Sequence, residues 1–163
     1  SNSKIIKRKG EKVKKLIPPS DPVTVAVSGG FDPIHKGHVR MIRAASAFGS
    51  VIVIANSDEW LMRKKGYVFM PFEERAEIIE SIKGVIAVYK AKDDDNTVCE
   101  SLKYLKPNMF ANGGDRKGDN VPEVSVCKEL GIKMLWNVGG GKIQSSSTLV
   151  AKAKYGKGLR INL

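Results

Sequence analysis

Apolar positions along the chain fall into two patterns that take turns. Short runs of near-continuous, mostly β-branched hydrophobicity recur at "VTVAVS" (23–28), "VIVIA" (51–55), "VIAVYKA" (85–91), "NMFANGG" (108–114) and "IKMLWNV" (132–138). Runs of that length and composition predict strands buried on both faces. Between them, apolar residues at helical spacing predict helices over 35–48, 58–65, 71–83, 97–105, 122–130 and 144–156. Pro71 and Pro122 stand where helices open, and Gly49, Gly66, Gly84 and Gly131 where they stop.

Strand followed by helix, about five times over, predicts one parallel sheet with helices on both faces. Such sheets bind ligands beyond the carboxyl ends of their strands, near the point where strand order reverses. Each segment of unusual composition follows a strand: GGFDPIHKGH, NSDEWLMRKKG, NGGDRKG and GGGKIQSSST. That coincidence predicts a single site assembled from four loops.

Composition narrows the class of protein. A chain of 163 residues suits one domain with a core of its own. With 42% hydrophobic and 28% charged residues it is ordinary for a globular protein. No apolar run nears the roughly 20 residues that span a bilayer. The start, "SNSKIIKRKGEKVKKL", lacks the apolar stretch of a signal peptide, so the expected location is cytoplasmic. Cys99 and Cys127 have no metal-ligand spacing and are expected as reduced, buried thiols.

The net charge of +11 is unevenly spread. Residues 1–17 hold seven Lys/Arg and one Glu, leaving 21 basic and 16 acidic residues in the other 146. The expected layout is a basic extension (1–20), one catalytic domain (21–156) and a short tail (157–163). A nucleic-acid-associated module driven by the basic arm is the competing class. Only 7% of residues are aromatic, with no clustered platform for bases, which disfavours it.

Both histidines, His35 and His38, sit three apart where a strand becomes a helix. Helix N-termini attract anions, and imidazoles there add donors without permanent charge. Gly29-Gly30 allows a tight turn and Gly37 leaves room beside the backbone. Phosphate handling fits better than a metal site, since HxxH alone has no third ligand. The rival reading is simple helix capping. "GGGK" (139–142) is not a P-loop, because Trp136 and Ile143 occupy its required positions. No G-x-G-x-x-G follows the first strand, so a hydride-transfer cofactor is not expected. HxGH also occurs in class I aminoacyl-tRNA synthetases, but the chain is short for their tRNA-binding domains and has no KMSKS-like segment.

"GGFDPIHKGH" resembles the GxFDxxHxGH signature of the HxGH nucleotidyltransferase (cytidylyltransferase-like) superfamily. That superfamily includes the glycerol-3-phosphate cytidylyltransferases and heptose-1-phosphate adenylyltransferases. "NSDEWLMRKKG", "PFEERAEII", "ANGGDRK" and "QSSSTLV" resemble its later segments in the same order, over about residues 23–155. Ser147 stands where threonine is usual in the family, with the hydroxyl kept. The resemblance implies an α/β, single Rossmann-like domain with a five-stranded parallel sheet. It implies transfer of a nucleoside monophosphate from CTP or ATP to a sugar- or polyol-phosphate, releasing pyrophosphate. Magnesium would arrive with the triphosphate, and a homodimer is left open.

On that reading His35, His38 and Lys65 are catalytic. Gly29, Gly30, Phe31, Gly37, Arg63, Lys64, Arg75, Ser146, Ser147 and Thr148 would bind the nucleotide, the basic residues and hydroxyls at its phosphates. Asn112, Gly113, Gly114 and Asp115 would border base and ribose, and Asp32 would touch the acceptor. Each has a plainer role open to it. The basic residues of RKKG suit a solvated loop, Arg75 suits pairing with Glu73, Glu74 or Glu77, and the hydroxyl cluster suits an N-cap. Asp32 suits capping of its own turn. Asp93 to Asp95 are expected as solvated acids rather than metal ligands.

Overall fold

A computed structural model describes residues 3–8, 11–16, 22–114, 121–140 and 146–161. The arm forms an antiparallel hairpin, β1 (Ser3–Arg8) and β2 (Glu11–Leu16). The elements that follow are β3 (Thr24–Gly29), α1 (Lys36–Ala45), β4 (Ser50–Ala55), α2 (Asp58–Lys65), α3 (Phe72–Glu80) and β5 (Val85–Lys90). They continue with α4 (Cys99–Leu105), β6 (Met109–Ala111), α5 (Glu123–Leu130), β7 (Lys133–Leu135) and α6 (Ser146–Ile161). Five strands form one parallel sheet in the order β5-β4-β3-β6-β7. The chain winds outward from β3 to β5, then crosses back to β6 and β7. The reversal lies between β3 and β6, so a crevice is expected at their carboxyl ends.

Strand alternation divides the core into two layers. Val25, Val27, Val51 and Val53 face one side, under Ile42 and Ala45 of α1 and Ala76 and Ile79 of α3. Ala26, Ile54 and Phe110 face the other, against Leu102 of α4 and Cys127 of α5. Burial on both faces explains why the strands read as continuous apolar runs.

Several boundaries differ from the sequence expectation, two of them instructively. The first helix stops at Ala45, capped by Ser46, rather than continuing to Gly49. Gly49 serves close approach instead: a Cβ there would meet the Val23 carbonyl oxygen at 2.6 Å. The last helix runs through Gly156 to Ile161, so the expected boundary at 156 falls inside it. Within the basic arm, the β1–β2 register sets Lys4 opposite Lys15 and Lys7 opposite Lys12.

Both cysteines are free, Cys127 buried and Cys99 half-buried. Burial, then the nearby Glu123 charge, pushes the Cys127 thiol up to about 11. The native state therefore holds this proton at pH values where an unfolded thiol has lost it, so alkali favours unfolding. Urea midpoints are expected to fall as pH rises from about 9 towards 11, and Cys127→Ala is expected to flatten that slope.

Candidate functional site

The turn after β3 is organised by its own histidines. His35 is the N-cap of α1, and its Nδ1 accepts the Gly37 N–H at 3.1 Å. His38 returns the bond, its Nδ1 accepting the His35 N–H at 3.2 Å. This is the reciprocal capping box usually built from a Ser/Thr and a Glu/Gln. A ring nitrogen that accepts an amide proton carries none itself, so each neutral imidazole keeps its proton on Nε2. Capping and donation are therefore not rival readings, because they use different nitrogens. The rings stack with centroids 3.8 Å apart and planes at 22°, which sets two Nε2–H donors side by side. Phe31, buried and at φ 53°, holds the His38 ring edge-on at 4.9 Å.

The N-terminus of α6 docks on this turn. Ser146, buried, donates its hydroxyl to the Pro33 carbonyl at 2.8 Å, two residues before His35. Ser147 and Thr148 follow, exposed, in the first turn of α6. The N-termini of α1 and α6 thus meet, and each has the positive dipole end that suits an anion.

Loops beyond β6 and β7 close on the same place. Asn112 is buried; its N–H donates to Leu135 at 2.8 Å, and its carbonyl accepts from Val138 at 2.9 Å. A Cβ on Gly139 would lie 3.0 Å from the Met41 backbone of α1. One on Gly114 would meet the Gly140 carbonyl oxygen at 2.5 Å. Gly114→Ala must prise these loops apart, with an expected loss of about 1–3 kcal/mol in urea unfolding. Asp115, Gln144 and Ser145 lie outside the described residues.

The wall beside β4 is held by buried charge. Asp93, expected to be solvated, is 2% exposed. Its carboxylate accepts from the Ser57 N–H, the Ser57 hydroxyl and the Asn56 side chain at 2.6–3.1 Å. It thereby ties the β5 loop to the start of α2. Asp95 stays exposed in a turn, where bonds from Thr97 lower its pKa. Arg63 bonds the Asp93 carbonyl and the Asn96 side chain, and Lys64 lies over the Trp60 ring at 5.9 Å. Lys65 ends α2, half-buried.

Two candidates are placed as supports rather than as contacts. Arg75 was expected to fork onto phosphate, yet it is fully buried. Its guanidinium donates to the carbonyls of Met70, Gly30 and Asn56 at 2.8 Å each, and pairs with Asp58 at 2.6 Å. The pairing with Glu73, Glu74 or Glu77 is replaced by this inward reach. Asp32, also fully buried, takes the Phe69 and Met70 amides on its two oxygens at 2.6 Å each. In this structure both side chains are taken up by the protein's own backbone groups and, for Arg75, by Asp58.

Among the described residues, no group of three or more His, Cys, Asp or Glu is arranged to hold a metal. Mg²⁺ commonly keeps its waters and rides on substrate phosphates rather than in a dedicated protein cage. A hollow of about 740 Å³ lies at the opposite end, by the amino ends of β3, β4 and β5. Its cations, Arg43 and Lys83, stand where α1 and α3 end, as helix C-termini favour. The described helices include none long and apolar enough to cross a membrane.

A doubly wound parallel sheet with paired helix N-termini at its reversal point defines a Rossmann-like α/β domain of the kind that handles phosphorylated ligands. The chain belongs to the cytidylyltransferase-like family, whose sequence profile matches residues 26–140. It is 34% identical over 137 residues to the bifunctional protein HldE of Streptomyces coelicolor, covering 81% of this chain and 28% of that protein. It is 33% identical over 114 residues to the FAD synthase of Pyrococcus horikoshii, covering 69% of this chain and 76% of that one. The chain thus spans about a quarter of the bifunctional relatives' length, again 25% for HldE of Sulfurimonas denitrificans. The lipopolysaccharide core biosynthesis protein of Thermoplasma volcanium shares the fold, with a TM-score of 0.61 at 23% identity, over 76% of this chain and 99% of that one.

Proposed function

We propose that the chain transfers a nucleoside monophosphate from ATP or CTP to a sugar- or polyol-phosphate, with release of pyrophosphate. The observation that carries this reading is the Ser146–Pro33 bond, which sets the hydroxyl-rich start of α6 against the histidine turn. A triphosphate laid across two helix N-termini is met by amide and hydroxyl donors together.

An acceptor phosphate oxygen attacks the α-phosphorus. The new P–O bond forms as the bond to the β-bridging oxygen breaks, and its electron pair leaves on pyrophosphate. Chemistry of this kind depends on positioning and charge stabilisation. His35 and His38 donate Nε2–H to phosphate oxygens as charge moves to the leaving group. Lys65, with Lys64, offsets the phosphate charge, while Arg63 steadies the loop beside them. Ser147 and Thr148 receive the β- and γ-phosphates. Magnesium travels on the nucleotide.

A flavin mononucleotide is the second acceptor class. It is favoured by the FAD synthase relatives, which are matched over most of their own length. The test is pyrophosphate release with each of the four triphosphates against sugar phosphates, polyol phosphates and flavin mononucleotide. Turnover with a sugar or polyol phosphate is expected; turnover with flavin alone selects the second class, and none with any acceptor removes both. Deleting residues 1–17 is expected to leave turnover unchanged, whereas a nucleic-acid module would lose its binding.

A further inference from the structure

Trp136 is a large indole left 37% exposed at the carboxyl end of the sheet. Among the described residues its ring has no hydrogen bond, ring contact or cation over its face, whereas Trp60 carries Lys64. Its position is nonetheless tightly set. Leu135 before it accepts the Asn112 N–H, and Val138 after it donates to the Asn112 carbonyl. Trp136 and Asn137 therefore form a short excursion pinned at both ends to one buried residue. Further on, Gly139 rests on Met41 of α1 and Gly140 on Gly114. The indole thus opens a loop that arches from the sheet edge over β6 to the histidine helix.

From this placement we infer that Trp136 is a stacking platform for the nucleobase of the triphosphate. The inference rests on the proposed nucleotidyl transfer. With the triphosphate across the starts of α1 and α6, the nucleoside extends towards the loops after β6 and β7. The acceptor approaches from the β4 side, where Lys64 and Lys65 lie. Stacking on an aromatic face is tolerant of base identity, since every base has a π-face. Trp136 consequently contributes affinity for ATP and CTP alike and leaves the choice between them to polar groups elsewhere.

The chain has two tryptophans, so Trp60→Phe isolates the emission of Trp136. Titrating that full-length variant with ATP and with CTP is expected to quench the remaining fluorescence saturably in both cases. A sugar or polyol phosphate alone is expected to leave it unchanged. In the otherwise native chain, Trp136→Ala is expected to raise the nucleotide KM about tenfold with kcat and the ATP/CTP ratio preserved, and Trp136→Phe to restore most of the loss. Absent quenching or an unmoved KM, while pyrophosphate is still released, overturns the assignment and leaves nucleotidyl transfer standing. Quenching by the acceptor alone overturns it as well. If no triphosphate supports turnover or raises the melting temperature, both fall together.

Discussion

Replacing His38 by alanine is expected to lower pyrophosphate release at least about a hundredfold while leaving a folded protein, the scale of losing one preorganised transition-state donor. The substitution removes two things. Loss of Nδ1 uncaps the His35 N–H, at a cost of about 0.5–2 kcal/mol to α1. Loss of Nε2–H removes a donor aimed at developing charge, which affects turnover and not the fold. His38→Asn separates them, because its carbonyl can still accept from the His35 amide while the Nε2–H is gone. That variant should regain most of the melting temperature and little of the activity. Near-normal kcat/KM in either variant would take His38 out of the mechanism.

The loops that follow strands announce themselves in the sequence because their chemistry is local. HKGH, SSST and the glycines after β6 stand out against apolar runs, and a doubly wound sheet brings such loops to one end. Ser146 on Pro33 is that convergence in a single bond. What the linear pattern hides is the second rank of residues. Asp93 lies in a run of three acids, and nothing nearby says that the first turns inward to Ser57, 36 positions away, while Asp95 stays outside. Gly49 reads as a helix stop because glycines often are; its need comes from Val23, a strand away. Arg75 reads as an exposed arginine among glutamates. Only the arrival of the Gly30 and Asn56 carbonyls from distant segments, beside the nearby Met70 carbonyl, makes the interior its place. Contacts between loops that are far apart in sequence have no period and no local signature, so residue type alone assigns them poorly.

Arg75→Ala is expected to destabilise the fold by about 3–5 kcal/mol, the scale of leaving three carbonyl acceptors unpaired at about 1–3 kcal/mol each. The size follows from what is left behind. The carbonyls of Gly30, Asn56 and Met70 lose a shared donor, and Asp58, at 40% side-chain exposure, keeps only solvent for compensation. Asp58 is too exposed for the ion pair alone to account for such a loss, so most of it comes from the three carbonyls. Arg75→Lys keeps the charge, but a compact ammonium cannot span the four acceptors that Nε, Nη1 and Nη2 reach, and it should recover a minor part. Because Gly30 precedes the histidine turn and Asn56 precedes α2, loosening this clamp moves both walls of the site. A positioning residue therefore predicts loss of kcat together with lowered urea stability in Arg75→Lys. A direct phosphate ligand predicts a raised triphosphate KM at unchanged stability. The buried guanidinium requires the first outcome, and the second would mean that Arg75 leaves its clamp when nucleotide binds.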